Sequence, residues 1–77
     1  MGRQAHVLLQ VDPGRSREAQ SYLAALPTVT QATVTSGAYD VIATVEAGSD
    51  EALGRAMVQA RATPGLCVLR LCRPAQA

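Results

Sequence analysis

The sequence predicts an α+β domain in which the order strand, helix, strand occurs twice. Three observations support this prediction. Apolar residues alternate with a period of two in four segments, recur with helical spacing in two others, and follow the same order in both halves of the chain. With 77 residues, the chain is the right length for one small domain.

Four segments have the alternating pattern of β-strands. They cover residues 5–11, 30–35, 39–45 and 67–73. The first and third carry apolar residues on both faces, with Leu8 and Ile42 on the less apolar side. The second is rich in β-branched and polar residues, which predicts an edge strand with one face in water.

Two segments between these strands have the spacing of amphipathic helices. The first follows the turn at residues 12–14, with Ser16 as the expected N-cap, covers residues 17–26 and ends at Pro27. The second starts at residues 48–51 and ends before Pro64. Their apolar stripes are Ala19, Tyr22, Leu23 and Leu26, and Leu53, Ala56, Met57 and Ala60.

Two interleaved strand-helix-strand units predict a ferredoxin-like βαββαβ sandwich, with an antiparallel four-stranded sheet and two helices on one of its faces. In that topology the first and third strands are central. Two helices cover one face only, so Leu8, Ile42 and Thr44 are expected on an open face that packs against a second copy, as in dimeric α/β barrels. The alternative is that these are scattered exposed aliphatic residues, which monomers also carry.

Composition and charge exclude several classes of function. The net charge is +1 and the seven basic residues are all arginines without a run, so no nucleic-acid surface is expected. No apolar run is long enough for a bilayer, and the start does not resemble a signal peptide, which predicts a cytoplasmic protein without a membrane partner.

The potentially reactive side chains do not form a motif. Cys67 and Cys72 lie on one predicted strand, about 16 Å apart, which is too far for a disulfide. We expect both to be reduced and to act as small apolar residues. His6 is the only histidine and has no carboxylate near it in sequence, so we expect no metal, no cofactor and no catalytic residue.

Three short motifs resemble the effector-binding domain of the Lrp/AsnC transcription regulators, also called the regulation of amino acid metabolism (RAM) domain. They are Leu-Pro-x-Val at residues 26–29, Val-x-x-Gly-x-Tyr-Asp at residues 34–40, and Pro-Gly at residues 64–65. Each motif is weak alone, but in this order they span nearly the whole chain. The resemblance implies a stand-alone domain over residues 1–77, because few residues precede the first strand and no helix-turn-helix is present.

The resemblance also implies a ligand site in the loop between the second and third strands. Its residues here are Ser36, Gly37, Ala38, Tyr39 and Asp40, with Ser36 where the family commonly has Thr. Gly37 is expected to allow a positive φ and close approach to a carboxylate, Asp40 to meet an ammonium group, and Tyr39 to form an apolar wall. The alternative is structural: a hairpin glycine, a turn acceptor and a packing tyrosine.

The implied function is to bind an amino acid or related metabolite, to form a dimer or ring, and to associate with full-length Lrp/AsnC regulators. Gln31, Thr33, Thr44 and Arg70 are further candidates for ligand specificity because of their placement on strands. Three other functions stay open at this point: an assembly module without a ligand, a small enzyme with the same fold, and an ACT-type amino-acid sensor. The absence of a nucleophile motif, phosphate loop or paired acids argues against the enzyme.

Overall fold

The computed structural model describes residues 3–73, which form one antiparallel sheet of four strands and two helices. The elements are β1 (Arg3–Val11), α1 (Ser16–Ala24), β2 (Val29–Val34), β3 (Val41–Ala47), α2 (Asp50–Ala60) and β4 (Leu66–Cys72). The strand order is β2-β3-β1-β4, so β1 and β3 are central. The predicted βαββαβ fold is therefore confirmed, although seven of the eight predicted strand ends are displaced by one or two residues.

The register of the two central strands reflects the duplication seen in the sequence. Leu8 of β1 pairs directly with Ile42 of β3, and these two residues occupy equivalent positions in the two halves of the chain. The approximate two-fold axis of the sheet therefore passes through this pair.

The core lies on the helix-covered side of the sheet. Alternate residues of β1 and β3 are buried there, and α1 and α2 add Leu23 and Leu53. The largest fully buried side chains are Leu9, Leu23, Leu53, Val7, Val41 and Val45. Each of them contributes about 1.5–3 kcal/mol by leaving water, so an aliphatic core without aromatic rings is enough to fix two helices on the sheet.

The start of α1 differs from the prediction. The N-cap is Arg15, not Ser16, and no side chain caps the helix. The turn after β1 causes this shift, because the N–H of Arg15 donates to the carbonyl of Asp12 and the carbonyl of Arg15 accepts the first helical bond from Ala19. The helix also ends at Ala24, before the predicted Leu26.

The start of α2 agrees with the prediction. Ser49 is in an extended conformation and its hydroxyl accepts a 3.1 Å hydrogen bond from the N–H of Ala52, while Asp50 and Glu51 lie in the positively charged first turn. A hydrogen bond links the two helices: near the end of α2, the carbonyl of Gln59 accepts from the Tyr22 hydroxyl at 2.8 Å.

Within residues 3–73, neither helix covers the second face of the sheet. Leu8, Ile42 and Thr44 are half-buried on it, and Val68 and Arg70 of β4 share the same side because they pair with Gln10 and Leu8. We call this surface the open face. Leu8 and Ile42 lie at its centre, as the sequence predicted. No helix within residues 3–73 has the length and apolarity that crossing a bilayer requires.

Gly65 gives a test of the backbone geometry. It has φ of +75°, and a Cβ added to it would lie 2.9 Å from Cδ of Arg15 and 3.3 Å from Cβ of Arg15. We expect Gly65→Ala to lower the free energy of unfolding by about 1–2 kcal/mol or more, from the positive φ and the contact. Urea denaturation at one fixed protein concentration measures this change.

The matched control is Gly54→Ala, within α2, where a Cβ meets no atom within 4 Å. It should raise stability by about 0.5–1 kcal/mol because alanine is the better helix former. Equal effects of the two substitutions would contradict the geometry described for residue 65.

Candidate functional site

The candidate loop, residues 35–40, is closed by its own hydrogen bonds. The N–H of Thr35 donates to the carbonyl of Asp40 at 2.8 Å. The Thr35 hydroxyl donates to the carbonyl of Tyr39 and accepts the N–H of Gly37 at 3.3 Å. Thr35 was not among the predicted site residues. Its signal in the sequence is a hydroxyl at the start of a turn, where Ser and Thr commonly bind nearby backbone groups.

The loop is fastened to the end of β1 by three hydrogen bonds. The N–H of Asp40 donates to the carbonyl of Leu9 at 2.8 Å, and one carboxylate oxygen of Asp40 accepts the N–H of Val11 at 2.9 Å. The side-chain amide of Gln10 donates to the carbonyl of Ala38 at 2.8 Å. The register between β1 and β4 shifts at Gln10 and Val11, and the Val11 N–H bonds the Asp40 carboxylate at this point.

These contacts decide between some of the alternatives for the loop residues. Asp40 is a turn-stabilising acceptor, with its second carboxylate oxygen free of hydrogen bonds within residues 3–73. The expectation for Gly37 was wrong: positive φ occurs only at Gly14 and Gly65 among the described residues, and a Cβ at Gly37 would meet only Thr35 Oγ1, at 4.0 Å. Neither the backbone conformation nor a neighbouring side chain within residues 3–73 therefore requires glycine at position 37, and the close approach of a ligand carboxylate stays a prediction.

The tip of the loop is accessible. Ser36, Gly37 and Ala38 are exposed, while Tyr39 and Asp40 are half-buried. Within residues 3–73, the backbone N–H groups of Ser36, Ala38 and Tyr39 have no hydrogen-bond partner. Unpaired N–H groups on a turn can receive an anion such as a carboxylate.

Asp12 and Cys67 lie near Asp40, at the base of the loop. The Cys67 thiol donates to a carboxylate oxygen of Asp12 at 3.2 Å. This hydrogen bond, with desolvation and the negative charges of Asp12 and Asp40, raises the pKa of the Cys67 thiol. Both cysteines are free and exposed, so the expectation that they act as small apolar residues was wrong. The reason is their position: Cys67 lies beside Asp12 of the exposed turn after β1, and Cys72 is the last residue of β4.

The other candidate residues lie on the open face. Thr44 contacts Nδ1 of His6 through its hydroxyl at 3.3 Å. Gln31 and Thr33 of β2 pair with Thr44 and Ile42, which puts them on the same side of the sheet. Arg70 pairs with Leu8 across β1 and β4. Within residues 3–73, no three His, Cys, Asp or Glu side chains are grouped in a way that would hold a metal ion.

Comparison with solved structures gives close matches over nearly the whole chain. A hypothetical protein of Pyrococcus horikoshii, PHS023, matches with a TM-score of 0.87 and 27% identity, over 100% of this chain and 93% of that one. AsnC of Escherichia coli matches with a TM-score of 0.85 and 18% identity, over 96% of this chain and 51% of that one.

A third match is a feast or famine regulatory protein of Mycobacterium tuberculosis, Rv3291c, in complex with L-methionine. Its TM-score is 0.77 and its identity 20%, over 97% of this chain and 51% of that one. This chain thus spans about half the length of AsnC and of Rv3291c. No protein-family model matches the sequence, and no curated protein matches it.

The role of Asp40 in fastening the loop can be tested by stability. Asp40→Ala removes the charged acceptor of the Val11 N–H, and hydrogen bonds to charged groups contribute about 1.5–3 kcal/mol. We expect a loss of that size in urea denaturation and faster hydrogen exchange at the Val11 amide. Gly37→Ala is the control and should change stability by less than about 0.5 kcal/mol, since its φ is ordinary. A larger cost at Gly37 than at Asp40 would contradict this description.

The raised pKa of the Cys67 thiol predicts a pH-dependent reactivity. The thiolate is the reacting form, so the Asp12 carboxylate slows alkylation of Cys67 at pH values below the raised pKa. We expect Asp12→Asn to lower that pKa and to speed iodoacetamide labelling of Cys67 near neutral pH, with the difference disappearing in strong alkali. Peptide mass spectrometry follows Cys67, with Cys72 as the internal reference. An unchanged Cys67 rate would show that Asp12 does not hold the thiol proton.

Proposed function

Because the chain has the fold of the effector-binding domain of the Lrp/AsnC regulators, we propose that it binds a small zwitterion, an amino acid or a related metabolite, and associates with itself through the open face. In this proposal its role is regulatory and it has no catalytic activity of its own. The observation that carries the ligand part is the arrangement of the loop: unpaired N–H groups at its tip and carboxylates at its base.

The two charged groups of an amino acid, its carboxylate and its ammonium group, suit the tip and the base of this loop. The N–H groups of Ser36, Ala38 and Tyr39 would receive the ligand carboxylate. Asp40 keeps one free oxygen and lies with Asp12 near the base of the loop, so this end favours an ammonium group. The L-methionine bound to Rv3291c and to the regulator NMB0573 of Neisseria meningitidis supports an amino acid as the class of ligand.

Self-association is supported by the composition of the open face. Leu8, Ile42 and Val68 are apolar residues on a surface that no helix covers. A second copy placed against this face would remove them from water, at about 25 cal/mol for each Å² of apolar area. Thr44, Gln31, Thr33 and Arg70 would then lie at or near the interface, where they can select among ligands or partners.

The second candidate function is an assembly module that needs no ligand. The open face favours it directly, since the association argument stands whether or not the loop binds anything. In both proposals the domain works in the cytoplasm, where free cysteines stay reduced, and full-length Lrp/AsnC regulators are proposed partners through the same face.

Size-exclusion chromatography with light scattering, combined with thermal unfolding, tests the proposal. We expect a dimer or a larger ring, and stabilisation by at least one of the proteinogenic amino acids, with L-methionine tested first. A ligand at a hundred times its Kd raises the free energy of unfolding by about 2.7 kcal/mol. Asp40→Asn should weaken this effect, and Gln4→Met, at the far end of β1, should not.

The outcomes separate the candidates. An oligomer that no amino acid stabilises would favour the assembly module. A monomer at all concentrations, unaffected by any amino acid, would contradict both proposals.

A further inference from the structure

Among residues 3–73, Gln10 is the one β1 residue whose side chain lies on the open face and hydrogen-bonds the candidate loop. Side chains alternate along β1, so Gln10 lies on the same side of the sheet as Leu8, and it pairs with Val68 of β4 on that side. Its amide nitrogen donates to the carbonyl of Ala38 at 2.8 Å. The other two fastening bonds involve the backbone of β1, at Leu9 and Val11, with the backbone and side chain of Asp40.

Because Gln10 lies on the open face, the mobility of its side chain depends on what covers that face. In the isolated chain its hydrogen bond to Ala38 is exposed to water, where water competes for both partners and the bond contributes little. A second copy seated on Leu8, Ile42 and Val68 would restrict the Gln10 stem and exclude water from its amide. The same bond then becomes stronger, and the loop tip becomes more ordered.

We propose that Gln10 is a positioning residue that couples the candidate loop to self-association, so that covering the open face orders residues 36–39. This inference rests on the proposed function. Coupling of this kind is reciprocal: whatever orders the loop tip also strengthens association by the same factor. The loop would therefore be ready for a ligand mainly in the associated form.

The test measures amide hydrogen exchange in the loop as a function of association, without any ligand. Exchange of the 77-residue chain is followed by mass spectrometry above and below the concentration at which it dissociates, as established by sedimentation. Where dilution does not reach the monomer, Ile42→Asp on the open face supplies it, after circular dichroism has shown that it is folded. We expect exchange at the loop amides that are hydrogen-bonded, those of Thr35, Gly37 and Asp40, to slow by about fivefold on association, the effect of strengthening one hydrogen bond that holds the loop.

Two substitutions identify Gln10 as the link. Gln10→Met keeps the apolar stem and removes the donor, and Gln10→Glu keeps the length and replaces the donor with an acceptor. Each should abolish the dependence of loop exchange on association. Gln4→Met is the matched control, because Gln4 lies on the same side of β1 but pairs with Glu46, away from the loop. It should leave the dependence intact.

The outcomes are distinguishable from those of the proposed function. An associated wild-type chain whose loop exchange does not respond to association would overturn the role of Gln10 and leave the proposed function standing. Loss of association in both Gln10 variants would overturn it too, since Gln10 would then be packing in the interface. A wild-type chain that stays monomeric would contradict the proposed association and this inference together.

Discussion

The position of the candidate loop depends on a single irregularity in the sheet. Between Gln10 and Val11 the register of β1 against β4 shifts, and the N–H of Val11 bonds the Asp40 carboxylate. A buried or half-buried N–H without a partner costs about 1–3 kcal/mol, so this acceptor is as much a part of the sheet as the ladder bonds are. The bulge, the carboxylate and the loop closure by Thr35 therefore form one unit, and the loop cannot move away without leaving the Val11 N–H unpaired.

A second constraint comes from layer geometry. Two helices on one side of a four-stranded sheet leave the other side without cover, and here the two central strands carry apolar residues on that side. The same strand, β1, supplies the middle of the open face and the anchor of the loop. The two proposed activities, association and ligand binding, would therefore both act through β1.

The fold could be predicted from the sequence because its signals are local and consistent. The period-two strands, the Ser49 cap with two acids behind it and the prolines after each helix all point to the same architecture. The start of α1 could not be predicted as well, because Ser16 is a good capping residue by type but the turn at Asp12 makes Arg15 the cap.

The candidate site was predicted less completely, for a physical reason. Asp40 and its neighbours could be singled out by the motif, but their bonding depends on the register of strands that are distant in sequence. Thr35 and Gln10 take part through one hydroxyl and one amide, which carry no distinctive pattern. At Gly37 the sequence predicted too much: a glycine in a loop suggested a positive φ, and the loop has an ordinary φ there.

The strand order also has a consequence for synthesis on the ribosome. Among the described elements, β1 comes first; it forms no ladder with β2, which follows α1, and its partners are β3 and β4. The emerging chain can pair β2 with β3 as a hairpin, but β1 gains its outer neighbour only when the final strand has left the exit tunnel. Until then its unpaired edge, with Leu8 and Leu9, is exposed to other nascent chains. Truncation in β4 should therefore harm yield far more than the loss of one edge strand suggests, because the last strand is also what shields the first.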